Sequence, residues 1–500
     1  MEAFDTLKNV YFLHTDIGSS LTGIEKSAMI RGNLFIKYLG ITPTFITVLK
    51  NKKVRQNWER YVENGVVDSE IPMINLYDYL QKTEEGRQLP AYHLKKEKTY
   101  GYQEVNTKDD SYHLRVFDTN NQQIKYLVFT DQQLLSHINY FHEGRKIARD
   151  HFNAYGQLSH TEYLTENNLA YVTEYFDVYG KRVLTKHVDG PILVAGNDSA
   201  YEAVLEDEQA LMLYFLKKII EAESIVMIDR NKKFSSLFIK NKQINAKLVS
   251  IIHSTYFSDI ESRAKINSNY QKVLNSPYSF ENIVVLTNRQ KKEMEQQFGI
   301  TNLVTIPHPR PVPYISEDVN ISSNKLISVG RLASEKNLNH MLEALVLVKK
   351  EIPDVTLELY GKGKEEKKLR QLAIKLGLQK NVQFNGYQDN LTTLYTTAEL
   401  FLFTGQAEGF TMSVLESLSY GCPVVSYNVR YGVDEMIQND HNGFHVTFDD
   451  KKQFANQIIF YLNKTTAEKN TYRKAAQQST ITYAEDKVAD RWRQLLQGLS

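Results

Sequence analysis

At about 100 to 200 residues per domain, a chain of 500 residues holds about three domains, which excludes a single small binding module. Hydrophobic residues at 42% and charged residues at 24% match globular averages and exclude disorder and fibrous repeats. The 60 basic residues against 59 acidic ones leave a formal charge of +1, so nothing in the total recommends nucleic acid as a partner.

Cys422 is the sole cysteine, which excludes a disulfide framework and a thiolate metal cluster and suits a reducing compartment. No apolar run reaches the roughly 18 residues of a membrane span, and Met1 to Lys8 is not a basic patch before an apolar run. The expectation is a cytoplasmic protein, free or peripheral at the inner membrane face.

Read in chain order, Val10 to His14 predicts a strand, Gly23 to Tyr38 an amphipathic helix and Pro43 to Val48 a strand. The βα rhythm then lapses until helix Leu211 to Ala222 and strands Ile225 to Ile228, Lys247 to Ile252 and Ile283 to Leu286. Between lies a stretch rich in aromatic residues with a short repeat: Phe117 to Gln122, Phe152 to Gln157 and Phe176 to Lys181. The Asn and Gly residues in it tolerate the positive φ of hairpin turns, so an antiparallel sheet over 75–200 is expected, inserted into a Rossmann-like domain of 1–74 and 201–306.

Four prolines within Pro307 to Pro313 predict an extended interdomain connector. Beyond it, strands Lys325 to Val329, Val355 to Tyr360, Val382 to Phe384, Leu400 to Phe403, Pro423 to Tyr427 and Gly443 to Val446 alternate with helices, the first of them Leu338 to Glu351. That alternation predicts a parallel, doubly wound α/β domain over 314–480, with 481–500 a helix returning to the first domain. Such sheets bind ligands at the carboxyl ends of their strands, and a cleft between two such domains is the default site.

Two loops there carry chemistry. Gly330-Arg331 follows the first strand and Lys336 stands five residues on, so two cations can hold a diphosphate; a solvated charge pair is the other reading. After Leu400 to Phe403 come Glu408, Gly409, Phe410 and Thr411, then a helix bearing Glu416. Gly409 permits close approach, Thr411 can cap the helix, and the two carboxylates can accept from a polyhydroxylated ligand. Read alone, Glu408 is equally an ordinary loop acid and Glu416 a solvated helix residue.

Together these motifs, with Tyr360-Gly361-Lys362-Gly363, Gly386-Tyr387 and Tyr420-Gly421-Cys422-Pro423, resemble the retaining glycosyltransferases of family 4, whose GT-B fold sets two Rossmann-like domains face to face. The resemblance is close over 325 to about 465 and looser before it. It implies a UDP-sugar donor whose leaving diphosphate is neutralised by Arg331 and Lys336, with Glu416 on the ribose and Gly386-Tyr387 along the uracil. It places Glu408, with the N–H groups of Gly409, Phe410 and Thr411, beside the donor sugar, and His253 over it. The loop Gly18 to Lys26 stands where the family has two glycines; Gly23 and Ile24 hold that position, with Thr22 replacing the other glycine. No Asp-x-Asp triplet occurs, so no metal and no other cofactor is expected.

Thr22 to Glu25, the segment Arg31-Gly32-x-Leu34-Phe35 and the inserted sheet resemble a bacterial subgroup of this family. It contains enzymes that move N-acetylglucosamine (GlcNAc) to serines of serine-rich or Ser-Asp repeat adhesins, and others that α-glycosylate wall teichoic acid with GlcNAc or glucose. The first activity is the expectation, the second the alternative. A non-catalytic, acceptor-binding homologue is the third reading, against which the retained Arg331, Lys336, Glu408, Glu416 and His253 speak. The partners implied are UDP-GlcNAc or UDP-glucose, the repeat protein or teichoic acid, and a second copy or a homologous subunit held through the inserted sheet.

Overall fold

A computed structural model describes residues 9–106, 112–196, 200–259, 264–311, 313, 320–388, 390–406 and 408–499. The expectation for Met1 to Lys8 and the placement of Val312 and 314–319 lie outside these residues. The described residues form three sheets. The first has seven parallel strands in the order Leu303–Thr305, Asn282–Val285, Ala246–Ile251, Ser224–Ile228, Val10–His14, Thr44–Thr47, Met73–Asn75. The third has six parallel strands in the order Val382–Gly386, Thr356–Tyr360, Lys325–Val329, Leu400–Phe403, Val424–Tyr427, Gly443–Val446. Helices on both faces bury these near-continuous apolar strands, as parallel sheets require. The two doubly wound domains are the GT-B fold.

Inserted within the first of them, between strands Met73–Asn75 and Ser224–Ile228, ten antiparallel strands from Gly101–Asn106 to Tyr201–Leu205 pair strictly in chain order. The repeat seen in the sequence is its turn. Asp118 Oδ1 accepts from the N–H groups of Asn120 and Gln122, Asn153 Oδ1 from those of Tyr155 and Gln157, and Asp177 Oδ1 from those of Tyr179 and Lys181. Asn121, Gly156 and Gly180 take the positive φ. The last strand, Tyr201–Leu205, lies past residue 200, paired with Ile192–Ala195.

One expectation needs correction. The βα rhythm does not lapse after Val48: helix Val54–Glu63, strand Met73–Asn75 and helix Leu76–Gln81 continue it, the last capped by the Asn75 side chain. A three-residue strand is too short to show a period. Helices Asn231–Lys240 and Asn288–Phe298 add to the domain; the second buries only Gln290 and Met294, so no apolar stripe marks it in the sequence.

At the other end, helix Glu485–Gln497 packs Trp492 against Phe35 at 5.6 Å, and the Arg31 guanidinium lies 5.5 Å from the Trp492 ring. Among the described residues no helix is long and apolar enough to cross a membrane.

Candidate active site

The carboxyl ends of both parallel sheets meet at one seam. From the N-terminal sheet, strand Ser224–Ile228 delivers Asp229 and strand Ala246–Ile251 delivers His253. Asp229 is fully buried and accepts from Arg31 through both oxygens, at 3.1 and 2.7 Å, and bonds His253 Nε2 at 2.7 Å. Burial alone would raise Asp229; the Arg31 guanidinium and the His253 bond instead hold it well below the usual carboxylate range. His14 Nε2 stands 3.5 Å from the other oxygen, and burial lowers His14 to about 4.

From the C-terminal sheet, the loop after Leu400–Phe403 comes against this group. A methyl on Gly409 would lie 2.1 Å from the His253 carbonyl oxygen, so only glycine fits between the two domains. The Glu408 N–H donates to the Arg430 carbonyl and the Tyr431 N–H returns a bond to the Glu408 carbonyl, fixing the loop. Lys336 Nζ pairs with Glu408 Oε1, joining the two charged loops the sequence singled out. Thr404 Oγ1 donates to the Lys336 carbonyl at 2.8 Å, which orients that lysine's backbone.

Thr411 is the N-cap residue of helix Met412–Ser419, but its hydroxyl makes no cap bond. At 2% exposure its Oγ1 is buried without a partner, and the N–H groups of Gly409, Phe410 and Thr411 donate to nothing among the described residues. Buried donors are nearly always satisfied, so this turn is shaped to receive acceptor atoms. The capping expected of Thr411 is thereby corrected.

Arg331 stands apart, 74% exposed, with its guanidinium 2.8 Å from Glu335 four residues on. A methyl on Gly361 would fall 1.9 Å from the Gly330 carbonyl oxygen, so the Tyr360 to Gly363 turn lies directly on the Gly330-Arg331 loop. Gly386 takes φ +69° at the end of its strand and leaves Tyr387 65% exposed beside it. Gly23 opens helix Gly23–Leu34 with Thr22 as its cap and Ile24 half-buried; Glu25 bonds the Thr22 N–H at 3.0 Å and pairs with Arg230.

Glu416 is not a solvated helix residue. It accepts from Arg310 at 3.3 Å and from the buried Tyr395 hydroxyl at 3.3 Å, while Glu408 pairs with Lys336. The sequence reading missed Arg310 and His308 because it took the proline run for a connector. The His308 ring stacks on His253 at 5.8 Å and meets Phe410 edge-on at 5.4 Å. Burial, with His253 and Arg31 nearby, lowers His308 to about 3. Asp229 also escaped notice, although a lone acid directly after a buried apolar strand was a usable signal.

Residues 315–479 match the family model described as "Glycosyl transferases group 1". Over 492 residues the chain is 25% identical to the poly(glycerol-phosphate) alpha-glucosyltransferase of Bacillus subtilis, covering 94% of this chain and 71% of that one. Over 530 residues it is 26% identical to the GtfA subunit of a UDP-N-acetylglucosamine–peptide N-acetylglucosaminyltransferase of Streptococcus gordonii, covering 97% and 98%. A crystal structure of TarM superposes with a TM-score of 0.84 at 19% identity, covering 99% of this chain and 100% of that one, which supports the fold.

Proposed function

We propose that this GT-B glycosyltransferase is a retaining enzyme that moves GlcNAc from UDP-GlcNAc to serine hydroxyls of a repetitive cell-wall adhesin in the cytosol. The observation that carries the donor side is the seam itself. Lys336 pairs with Glu408, the next residue Gly409 packs on the His253 carbonyl, and Gly409, Phe410 and Thr411 keep N–H groups and a hydroxyl without partners among the described residues, so a cation, an acceptor and donors lie along one loop at the seam.

The chemistry follows from the charges. A departing diphosphate gathers negative charge in the transition state, and fixed cations stabilise it most when they need not reorganise. Lys336, held through its backbone and its carboxylate partner, is such a cation, and Arg331 can swing from its exposed bridge to Glu335. Glu416 can accept from the ribose hydroxyls and Gly386-Tyr387 can line the uracil. His253, oriented by Asp229, offers its Nδ1 edge to the sugar. These side chains supply the charge without a metal, so transfer is expected to survive EDTA.

A second reading is α-glycosylation of wall teichoic acid. It is supported by the poly(glycerol-phosphate) alpha-glucosyltransferase among the relatives. Retention of Lys336, Glu408, Glu416 and His253 speaks against the binding-only reading. The deciding experiment incubates the protein with UDP-GlcNAc or UDP-glucose and either a serine-repeat peptide or purified teichoic acid, following transfer by mass. Mass added to the peptide from UDP-GlcNAc supports the first reading; mass added only to teichoic acid supports the second, and none in either contradicts both.

A further inference from the structure

Strand Thr44–Thr47 ends at the same edge of the N-terminal sheet as the strand leading to His253, because the two run parallel. Lys50 follows it, in a loop tied down by the Val48 and Leu49 N–H groups on the Thr15 carbonyl. Its ammonium reaches the inserted sheet. There Nζ lies 2.5 Å from His160 Nδ1 and 4.3 Å from the centre of the Tyr175 ring. His137, His151 and His160 stand opposite one another on three neighbouring strands, His160 stacked on His151 at 4.2 Å.

A cavity of about 270 Å³ opens at this junction, lined by Lys50, Lys52, Arg55, His151, Asn153 and Asp78 among others. Asp78 faces Arg55 at 3.7 Å, and Glu162 beside the cluster faces His151 Nε2 at 3.1 Å. Lys50 thus meets an imidazole and an aromatic ring rather than a carboxylate.

We infer that this cavity binds a phosphodiester of the acceptor polymer, with the Lys50 ammonium as its main cation and Lys52 and His151 flanking it. The inference rests on the teichoic acid reading above and deepens it. Burial works against the charge on Lys50 and its closest partners are neutral rings, so an anion brought by a ligand would favour the ammonium form. Burial also pushes Lys50 down to about 6, with Lys186 nearby adding to the fall and Glu162 opposing it. A phosphate would restore the charge. The site lies at the edge where the catalytic seam opens, so a chain anchored here can lead a hydroxyl toward it.

A metal fits the same cluster poorly. The ligand atoms of His151, His160 and Glu162 fall within 4.8 Å of one another. Two imidazoles stacked with an interplanar angle of 5°, however, point their lone pairs in parallel planes rather than at one ion, and Lys50 already holds His160 Nδ1.

The test titrates sn-glycerol 3-phosphate and short poly(glycerol phosphate) into the full chain and its Lys50→Met and Lys50→Gln variants by calorimetry, with thermal melts to confirm folding. Loss of one charged contact should weaken binding about tenfold or more and raise KM for teichoic acid in proportion. Binding by both folded variants within twofold of wild type overturns the inference. So does tighter binding of an aspartate-rich peptide than of the phosphate polymer, or stoichiometric zinc binding lost in His151→Ala. Lys50-dependent phosphate binding by a protein that glycosylates only peptide upholds the site and overturns the acceptor reading instead.

Discussion

Asp229 bonds His253 Nε2 at 2.7 Å while Arg31 grips both of its oxygens, so a buried carboxylate sets the orientation of the histidine at the seam. The pair joins neighbouring strands of one sheet, and His253 is the residue proposed above to meet the donor sugar. Asp229→Asn should therefore lower kcat by roughly tenfold or more, with KM for the UDP-sugar little changed, since a misoriented group is felt mainly in the transition state. Steady-state kinetics on the folded variant check this; a purely structural role would lower the melting temperature and leave kcat per folded molecule intact.

Gly409→Ala should separate the two domains. The added methyl would overlap backbone at the His253 carbonyl and at the Ser254 Cα, 2.5 Å away, so relief requires the seam to open. Activity should fall by at least about 10²-fold, as for a displacement of reacting groups by about 1 Å, while each domain stays folded. Circular dichroism with transfer assays reads both.

Lys336→Ala should lower kcat by roughly 10²-fold, the loss expected for one preorganised electrostatic contact, and Arg331→Ala by less, because its guanidinium must first leave Glu335. The two should differ in stability. Arg331 is exposed and its bridge to Glu335 adds little, whereas Lys336 leaves Glu408 without its cation. A rise in KM alone, with kcat within threefold, would show uniform binding instead.

Acid should destabilise the fold well before the carboxylates titrate. Burial holds His14 at about 4 and His308 at about 3, against 6.5 when unfolded. The unfolded chain then binds these protons more tightly, so their contribution is full above pH 6.5 and is lost as pH falls below it toward the folded values. Each adds a slope of about 1.4 kcal/mol per pH unit inside that window. Melting temperatures should hold from pH 7.5 to about 6.5 and then fall toward pH 5, less steeply in His308→Asn; a flat profile below pH 6.5 would contradict the burial.

The C-terminal domain was legible almost residue for residue, since Lys325–Val329, Leu338–Glu351 and Leu400–Phe403 are apolar runs bounded by polar turns. The hairpin repeat was legible because Asp118, Asn153 and Asp177 each bond their own turn. What stayed hidden depends on long-range contact. Arg31 and Asp229 stand 198 positions apart, and nothing local in the proline run marks His308 or Arg310 as neighbours of His253 and Glu416. Nor does the repeat itself show that Tyr155 is half-buried at its turn or that Tyr179, though exposed, donates its hydroxyl to Glu85 at 2.9 Å.

The most direct measurement of the central claim is the anomeric configuration of the product formed from UDP-GlcNAc, read by proton NMR. In the proposed reaction the hydroxyl attacks on the face from which the diphosphate leaves, and Glu408 is engaged as the partner of Lys336 rather than as a nucleophile. The α-linked donor should therefore give an α-linked product. A β-linked product would contradict it.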